Sequence, residues 1–575
     1  MNIELLRADR AEAALANPAL AGSWTQLHAA CPWATVFQRF EFCRLWYDTF
    51  SERYMPVLAI GSEHGVIHGL LPLAQSRADD TLLIAGGDEA RYQAWISVPD
   101  HGASFIDQAL DRLRTAFPRA SIAFRCIPPG TPLDWSSRGE RWKSLTVAQP
   151  VQRRLVSTAA AGAPGGRFLE QGGGLKLLQN LGAVELKVLS EPQELSAIVD
   201  QLAVLQDFRL RSVDEAHHAR DPLTTLLYER LMRAGLVHAA TLTLDGKIVA
   251  AHVGILDNDR VMLEKFACSP FFAKHAPGDL YMQLLASELS SRGVKQVDVP
   301  PVVGCPESLA TQLDHAFAVS VFLPETDNLA VQTGRSITRR VQTALRSFGS
   351  ASSAMRSRAR RLRARLRLLR VTALPGKLVR MVLHRVWRST EFRLYRMDLR
   401  SVQALPNPGL MNRDSLADLL LFMPREGWQL DFWKDSWRKI EDGAHPYTRA
   451  EQGRLVHYGW MVEKQATSHL WSVGQDWVPP EGSVIFTTFY TDPRERGRGL
   501  YYSSLCQMLH EAQHVPGAKA VFIGVLADNA PSRRVIEKVG FSYEYSFFEK
   551  RRPWGVSRWS NAPAAMTQRA DTSRA

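Results

Sequence analysis

The sequence lacks the features that mark membrane-spanning, secreted and metal-binding proteins. Nowhere in its 575 residues is there an uncharged apolar run of about 18 residues, so we expect no spanning helix. The N-terminal segment "MNIELLRADRAEAALANPAL" contains acids and has no apolar core, which is unlike a signal peptide. The six cysteines are scattered, without a CxxC pair or a neighbouring histidine pair, so we expect no disulfide framework and no metal site. These absences predict a cytoplasmic protein.

Positive charge is concentrated in one segment. The net charge is +12, but residues 335–400 alone hold 19 Lys and Arg against two acids, which leaves −5 for the rest of the chain. Inside this segment Leu362, Leu366 and Leu369 recur at helical spacing among arginines, which predicts a basic helix with a narrow apolar stripe. Three interpretations stay open: a solvated helix between domains, docking of residues 356–370 on an anionic membrane surface, and nucleic-acid binding. The helix lacks aromatics and no nucleic-acid-binding motif accompanies it, which disfavours nucleic acid.

Three stretches of similar build predict β-hairpins at Pro56–Ala74, His238–Leu256 and Arg454–Gly474. Each follows a helix-like segment rich in Trp, Leu and Phe, and the last two precede a further strand and an amphipathic helix. The Asp245-Gly246 pair is a strong two-residue turn signal. This recurring order predicts the α/β class, with mixed β-sheet units in tandem.

Composition changes divide the chain. A small-residue stretch, "STAAAGAPGG", separates two N-terminal halves, and the basic segment precedes a C-terminal domain. The predicted parts are residues 1–155, 167–330, a basic helical linker at 331–388, a domain at 389–555, and a disordered tail at 556–575.

The stretch "FYTDPRERGRGLYYSSL" joins a predicted strand, Ser483–Pro493, to a helix that begins near Leu500. Its arginines and glycines therefore lie at a helix N-terminus, where unpaired backbone N–H groups and the positive end of the helix dipole attract anions. Glycine lets the backbone approach phosphate oxygens closely, and arginine adds charge. The junction predicts a site for a phosphate-bearing ligand.

The segments "TDPRERGRGLY" and "GVLADNAPSRRVIEKVGF" resemble the two halves of the acetyl-CoA site of the GNAT acetyltransferase superfamily. The resemblance implies that backbone N–H groups at the junction hold the pyrophosphate of acetyl-CoA. It also implies that the strand end Phe489–Thr491 pairs with the pantetheine arm and that Asn529 contacts this arm, with Ser532 matching the second motif. The residues implied for the pyrophosphate are Arg496, Gly497, Arg498, Gly499, Leu500 and Tyr501. An alternative register on Arg494, Gly497 and Gly499 also fits the bare pattern.

The resemblance implies direct acyl transfer to an amine, but the sequence leaves the proton donor and acceptor open. Ile536 stands where many of these enzymes carry the tyrosine that reprotonates the CoA thiolate, so that role falls to Tyr543, Tyr545 or water, with Tyr490 as another candidate. Tyr501 replaces a small residue of the motif. His457, Glu463 and His469 are candidate bases, and each is alternatively a surface residue of its hairpin.

The N-terminal region, through "ATVFQRFEFCRLWYDTF" and "FACSPFFAKHAPGDLYMQLL", resembles the CelD-like acetyltransferase family, which is similar to Fem-type aminoacyl transferases. "KHAPGDL" stands where that family has a Pro-Gly entry to a helix, which is alternatively a plain loop. Asp298 is retained but the residues after it depart from the pattern. We therefore expect this region to be a substrate-binding or inactive partner of the C-terminal domain.

Together these features predict an acetyl-CoA-dependent N-acetyltransferase without a metal. The expected acceptor is a small-molecule or glycan amine, and the resemblance alone implies an amino sugar or an envelope or exopolysaccharide precursor. The expected location is the cytoplasm, at the inner membrane face if the basic helix docks there. Two alternatives stay open: aminoacyl transfer from tRNA by the N-terminal region, and a membrane-associated scaffold with degenerate acetyltransferase folds.

Overall fold

A computed structural model defines the fold of part of the chain. The described residues are 1–79, 81–118, 120–138, 140–159, 173–213, 221–299, 312–323, 388–402, 409–423 and 431–563. Outside these residues lies the predicted basic linker at 331–388, except for Arg388. The segment 356–370, for which membrane docking is one interpretation, is part of it.

Contacts divide the chain into two compact units. The first consists of the described residues of Met1–Gln206 and His218–Ser353, and the second of those of Asp207–His217 and Ala354–Ala575. The described residues of both predicted N-terminal halves fall in the first unit, except those of Asp207–His217.

Two sheets organise the chain up to residue 323. One is five-stranded, in the order β1-β2-β3-β4 with β5 also on β3, and the other is eight-stranded, in the order β6-β13-β7-β12-β11-β10-β9-β8. The helices are α1 Asp9–Leu15, α2 Pro18–Ala30, α3 Phe40–Thr49, α4 Gly102–Ala116, α5 Trp135–Arg138, α6 Glu140–Lys143, α7 Gly173–Gln179, α8 Pro192–Ser212, α9 Pro222–Arg233 and α10 Pro277–Ser291. The strands are β1 Asn2–Arg7, β2 Tyr54–Glu63, β3 Val66–Ser76, β4 Leu82–Ile84, β5 Ile96–Ser97, β6 Ser121–Ile127, β7 Thr146–Ser157, β8 Val184–Val188, β9 Val237–Leu244, β10 Lys247–Asp257, β11 Arg260–Cys268, β12 Gln296–Val299 and β13 Gln312–Phe322.

One eight-stranded sheet organises the chain from residue 388, in the order β15-β16-β17-β20-β21-β14-β22-β23, beside a small β18-β19 hairpin. The helices are α11 Leu416–Leu420, α12 Phe432–Glu441, α13 Leu500–Ala512 and α14 Ala530–Val539. The strands are β14 Arg388–Asp398, β15 Asn412–Arg413, β16 Ala444–Glu451, β17 Arg454–Val462, β18 Ser468–Leu470, β19 Gln475–Trp477, β20 Ser483–Thr491, β21 Ala520–Leu526, β22 Ser542–Arg552 and β23 Gly555–Ser560.

The two faces of this sheet bury different apolar clusters. Because successive strand side chains point to opposite faces, Val484 and Phe486 of β20 pack in the cluster that includes α13 and α14. Ile485, between them, packs in a second cluster with Trp477 and Tyr545. The predicted α/β class with tandem mixed sheets is confirmed.

Two of the three predicted hairpins are confirmed and one is displaced. The pairs β2–β3 and β9–β10 match the predictions. In the third, Arg454–Val462 is the second strand of a hairpin with β16, not the first strand of a hairpin ending at Gly474. Its turn, Gln452-Gly453, has both φ angles positive (50° and 71°), as does Asp245-Gly246. This is the turn geometry that joins twisted strands tightly, and Gln-Gly is a weaker signal for it than Asp-Gly.

The end of the domain differs from the predicted tail. Residues Val556–Ser560 pair with β22 as the edge strand β23, because Trp559 stacks on Phe548 across the pair with the ring centroids 5.2 Å apart. The rest of the predicted tail is described only as far as residue 563. No helix within the described ranges is long and apolar enough to cross a membrane.

A buried ion cluster links the two sheets of the first unit. The Asp298 carboxylate, 2% exposed, accepts hydrogen bonds from Arg91 at 3.1 Å, from Arg153 at 3.2 Å and from the Tyr92 hydroxyl. Arg91 also pairs with Glu264 at 3.2 Å. Buried guanidinium groups require such partners, because an unpaired buried charge is strongly destabilising.

We expect Asp298→Asn to lower the free energy of unfolding of the first unit by about 3–5 kcal/mol, because both arginines lose their shared carboxylate. Urea unfolding followed by tryptophan fluorescence measures the change. The matched control is Asp259→Asn, which removes a 45%-exposed carboxylate paired with Lys295 at 3.2 Å and should cost under about 1 kcal/mol. Equal effects of the two substitutions would contradict a structural role for the cluster.

Candidate functional site

Two parallel strands of the second unit separate partway along their length. β20 and β21 are paired only over Ser483–Phe486 and Ala520–Ile523. Beyond Phe486, β20 stays paired with β17 on its other side, and β21 stays paired with β14. The strands therefore diverge, and no other described strand pairs with the edge of β20 that faces the gap. Unpaired backbone groups of this kind can bind an extended ligand.

A bulge lies where the strands diverge. The register between β17 and β20 shifts between Tyr458 and Trp460, and Thr488 has a φ of +52°. A β-branched residue rarely adopts this conformation, which costs about 1–3 kcal/mol and is frequent at functional sites. The bulge turns the residues that follow it relative to those before it.

The Arg-Gly junction forms an uncapped helix start. Helix α13 begins at Leu500 after Gly499, whose φ is +76°, and no side chain caps it. The first backbone hydrogen bond of the helix runs from the Ser503 N–H to the Gly499 carbonyl. Within the described residues, the backbone N–H groups from Gly497 to Tyr502 have no hydrogen-bond acceptor. Exposed amides at the N-terminus of a 13-residue helix are chemically suited to binding an anion.

The junction arginines differ in their partners. Arg498 donates to Glu451 at 2.9 Å and to Glu495 at 2.6 Å, and these carboxylates raise its pKa. The exposed Arg496 makes one long contact, 3.4 Å to the Thr491 carbonyl. Arg496 is therefore the better placed of the two to meet an added anion.

An aromatic cluster lines the α13 side of the gap. The Tyr501 ring lies 4.9 Å from that of Phe489 on β20 and 6.3 Å from that of His457 on β17. Its hydroxyl accepts a hydrogen bond from Ser532 of α14 at 3.2 Å, and burial raises its pKa to about 12. Tyr501 thus spans from β20 to the helix that follows β21.

His457 contributes a buried nitrogen without a partner. Its Nδ1 lies 2.8 Å from the Thr491 hydroxyl, while Nε2 has no hydrogen-bond partner among the described residues. Burial lowers its pKa to about 3, so the ring is neutral at physiological pH. An unsatisfied buried polar atom costs about 1–3 kcal/mol, which a bound ligand with a polar group would offset.

The second motif is a helix cap. Asn529 is the N-cap of α14, and its side-chain oxygen accepts the Ser532 N–H at 3.3 Å. Of the predicted residues, the structure therefore brings together the strand end, the helix start, the α14 cap and His457. Leu500 is buried beneath them in the core.

The predicted tyrosines lie elsewhere. β22, which carries Tyr543 and Tyr545, is separated from β20 by β21 and β14, or roughly 14 Å at the usual strand spacing. The Tyr545 hydroxyl accepts the Trp477 indole N–H at 2.8 Å on the opposite face. Tyr490 also faces away from α13, with its ring stacked on Tyr458 at 5.4 Å.

The other candidate bases are already paired. Glu463 binds Arg413 at 3.0 Å and His469 binds Asp476 at 2.6 Å. Ile536 lies on α14 itself, and its side chain is fully buried in the core.

Sequence reasoning missed Lys439 of α12. Its Nζ donates to the Thr488 hydroxyl at 3.0 Å and lies 5.2 Å from the centre of the Trp460 ring. No carboxylate in the described part of the chain forms an ion pair with it, and burial lowers its pKa to about 8. The available signal was its spacing, seven residues after the buried Phe432, which puts it on the inner stripe of the helix.

The first unit has a comparable strand pair whose gap is filled. β11 and β12 are parallel only over Arg260–Met262 and Gln296–Asp298. The Arg91 guanidinium donates to the Leu263 carbonyl of β11 and to the Asp298 carbonyl of β12, the latter at 3.2 Å. The Pro-Gly entry to α10 begins with Pro277, which has no backbone N–H to donate. The Asp279 N–H already donates a hydrogen bond to the Ala276 carbonyl at 3.2 Å. This helix start is less suited to an anion than that of α13.

Comparison with known families assigns both regions to one superfamily. Residues 173–303 and residues 416–542 each match a model described as an acetyltransferase (GNAT) domain. Both segments therefore belong to the GNAT acetyltransferase superfamily, and these two matches support acyl transfer as the general activity. No curated protein matches the chain.

Solved structures with partial similarity include three of note. The C-terminal domain of a putative lysylphosphatidylglycerol synthetase from Agrobacterium fabrum is 13% identical with a TM-score of 0.36, over 56% of this chain and 95% of that one. FemX is 9% identical with a TM-score of 0.36, over 52% and 95%. A GCN5-related N-acetyltransferase from Kribbella flavida is 11% identical with a TM-score of 0.29, over 56% and 72%. Because these three TM-scores are below 0.5, the superfamily assignment rests on the two matched segments.

The buried His457 predicts acid sensitivity. The folded protein leaves this ring unprotonated down to about pH 3, whereas the unfolded chain takes up a proton near 6.5, so acid favours unfolding between these values. Between pH 7 and pH 5 the wild type should lose roughly 2 kcal/mol more stability than His457→Gln, as measured by urea unfolding. Parallel losses in the two proteins would show that His457 is not buried in this way.

Lys439 predicts an unusually reactive amine. Competitive labelling with acetic anhydride over a pH series, read by mass spectrometry, should give a midpoint near pH 8, because burial disfavours the ammonium form. Lys434, exposed on the same helix, is the internal reference. A midpoint near the ordinary lysine value of 10.5 would contradict the burial of Lys439.

Proposed function

We propose that the protein is an acetyl-CoA-dependent N-acetyltransferase whose catalytic centre is the diverging strand pair of its C-terminal unit. The observation that carries this proposal is the uncapped start of α13 next to the unpaired edge of β20. Anion-binding amides and an open strand edge suit a donor that has a diphosphate at one end and an amide-containing arm. The acceptor that we propose is an amine on a small molecule or glycan precursor.

The helix start would hold the diphosphate. The unpaired amides from Gly497 to Tyr502 supply donors without rearrangement, and Arg496 adds a charge that no carboxylate neutralises within the described ranges. Arg498 instead ties the loop to Glu451 and Glu495, which fixes the loop geometry. A preformed site of this kind binds with little loss of conformational entropy.

The strand edge would position the acyl group. Acetyl-CoA supplies an acetyl thioester, whose carbonyl becomes more negative as an amine attacks it. Beyond Phe486, β20 no longer pairs with β21, so backbone N–H groups on this edge would be available to the acyl group, and fixed donors of this type stabilise the developing charge. The bulge at Thr488 sets the direction in which the backbone groups of this part of the strand point.

The proton-transfer groups lie on opposite faces of β20. On the α12 face, Lys439 with a pKa of about 8 is suited to receive a proton from the acceptor amine, because a base works best with a pKa near the ambient pH. On the α13 face, Tyr501 accepts its hydrogen bond from Ser532 and keeps its own proton for donation to the leaving thiolate. This role would replace that of the tyrosine missing at Ile536.

The N-terminal unit would support the C-terminal one. Arg91 already bonds both strands of its gap, and the first turn of α10 carries Asp279, whose negative charge disfavours a phosphate. These observations favour a non-catalytic, substrate-binding role. Aminoacyl transfer from tRNA, cytoplasmic or membrane-face location, and docking through residues 356–370 stay predictions.

Calorimetric titration of the full-length protein with acetyl-CoA tests the donor site. Gly499→Ala should weaken binding at least about tenfold, because a residue with a Cβ resists a φ of +76° and shifts the helix-start amides. The control is Gly517→Ala, which introduces the same strain at φ +79° beyond the other end of α13 and should leave affinity unchanged. Absence of binding in the wild type, or equal binding by both variants, would refute the proposed donor site.

A further inference from the structure

The three strongly exposed tryptophans of the described chain all lie in the second unit. Trp471 is 80% exposed, Trp554 is 78% exposed and Trp559 is 46% exposed. Two of them belong to the hairpin formed by β22 and β23, which we call the Trp554 hairpin (Ser546–Ser560). Large exposed aromatic surface is unfavourable in water and marks interaction sites when it is concentrated in one place.

The Trp554 hairpin ends the sheet with its tip uncovered. Among the described strands β23 pairs only with β22, and every residue from Pro553 to Trp559 is exposed. Trp554 stands in the turn between the strands, and Val556, 48% exposed, follows it on β23. The apolar groups therefore concentrate at and behind the tip.

The same hairpin is strongly basic. It contains Lys550, Arg551, Arg552 and Arg558 against a single acid, Glu549. This acid is buried and accepts hydrogen bonds from Arg551 at 2.6 Å and from Arg558 at 3.1 Å. The net charge of the hairpin is thus +3, and the one carboxylate is withdrawn from the surface.

The cations flank the tip on both faces. Arg551 and Arg558 share the face of Glu549, because they bond to it. Lys550 and Arg552 occupy the alternate positions of β22 and so point to the opposite face. An aromatic tip with cations on either side is suited to the surface of an anionic bilayer, because indole rings are enriched at the level of the lipid headgroups. Each basic residue near such a surface contributes about 1 kcal/mol to the binding free energy.

We propose that the Trp554 hairpin docks on an anionic phospholipid surface, with Trp554 entering the headgroup region. A second protein strand is a poorer fit for the open edge of β23, because lysine and arginine along an edge strand oppose strand addition. A neutral glycan would use the tryptophans but leave the cations without a role. This surface differs from the basic segment at 356–370 and is independent of the proposed acetyl transfer.

Co-sedimentation of the full-length protein with vesicles tests the proposal. Binding is expected to phosphatidylcholine vesicles that contain phosphatidylglycerol, to weaken with added salt, and to be absent with phosphatidylcholine alone. Trp554→Ser and the double variant Lys550→Gln/Arg552→Gln should each weaken binding at least about tenfold. Thermal unfolding of each variant should be unchanged, since these side chains are at the surface.

Trp471→Ser is the matched control, because it removes an equally exposed tryptophan from the neighbouring β18–β19 hairpin, and its binding should match that of the wild type. Quenching by brominated phosphatidylglycerol adds an independent readout, in which Trp554→Ser should lose quenchable fluorescence. The proposal is overturned if anionic vesicles do not bind, if the hairpin variants bind as the wild type does, or if neutral vesicles bind equally. Full displacement by tRNA without any quenching by the lipid would instead identify a nucleic-acid surface.

Discussion

The candidate site depends on the loss of hydrogen bonding between two parallel strands. Where β20 and β21 diverge after Phe486 and Ile523, each strand keeps its outer partner, and the inner edge of β20 is exposed. Backbone donors and acceptors that a continuous sheet would satisfy are thereby left for a ligand. The helix that connects the two strands starts beside the same gap, so its unpaired amides add hydrogen-bond donors suited to an anion next to the open edge. The open strand edge and the helix start are both formed by main-chain groups. They can therefore form although few side chains match the family motif.

The gap between β11 and β12 in the first unit and the gap between β20 and β21 in the second are occupied by different kinds of side chain. In the first, a guanidinium bonds one carbonyl on each strand and is itself held by buried carboxylates. Because a buried ion cluster is costly to disrupt, a ligand would have difficulty displacing Arg91. In the second, the residue that spans the gap is Tyr501, whose polar contact is one hydrogen bond from Ser532. An aromatic ring held this weakly can adjust to a ligand, so the C-terminal gap is the more accessible of the two.

The sequence predicted the local elements of the site better than their neighbours in space. Strand β20 and helix α13 were predictable because β-branched and aromatic residues precede the glycines, and helical spacing follows them. Tyr543 and Tyr545 were candidate proton donors because Ile536 stands where the resemblance implies a tyrosine, yet the sheet order inserts β21 and β14 between them and β20. Strand order is set by long-range pairing, which a local pattern does not encode. Lys439 was missed for the same reason, because its proposed role depends on a long-range contact with Thr488, 49 residues away.

The two nitrogen bases beside β20 are suited to different tasks. His457 lies on the α13 face, and a pKa of about 3 makes its ring a very weak proton acceptor at neutral pH, so it is better suited to orient a ligand through Nε2. Lys439 lies on the α12 face with a pKa of about 8, which allows a substantial neutral fraction in mildly alkaline solution. If acyl donor and acceptor approach from opposite faces of the strand, the base has to be on the acceptor's face. The combination of face and pKa therefore favours Lys439 over His457 as the group that takes the proton.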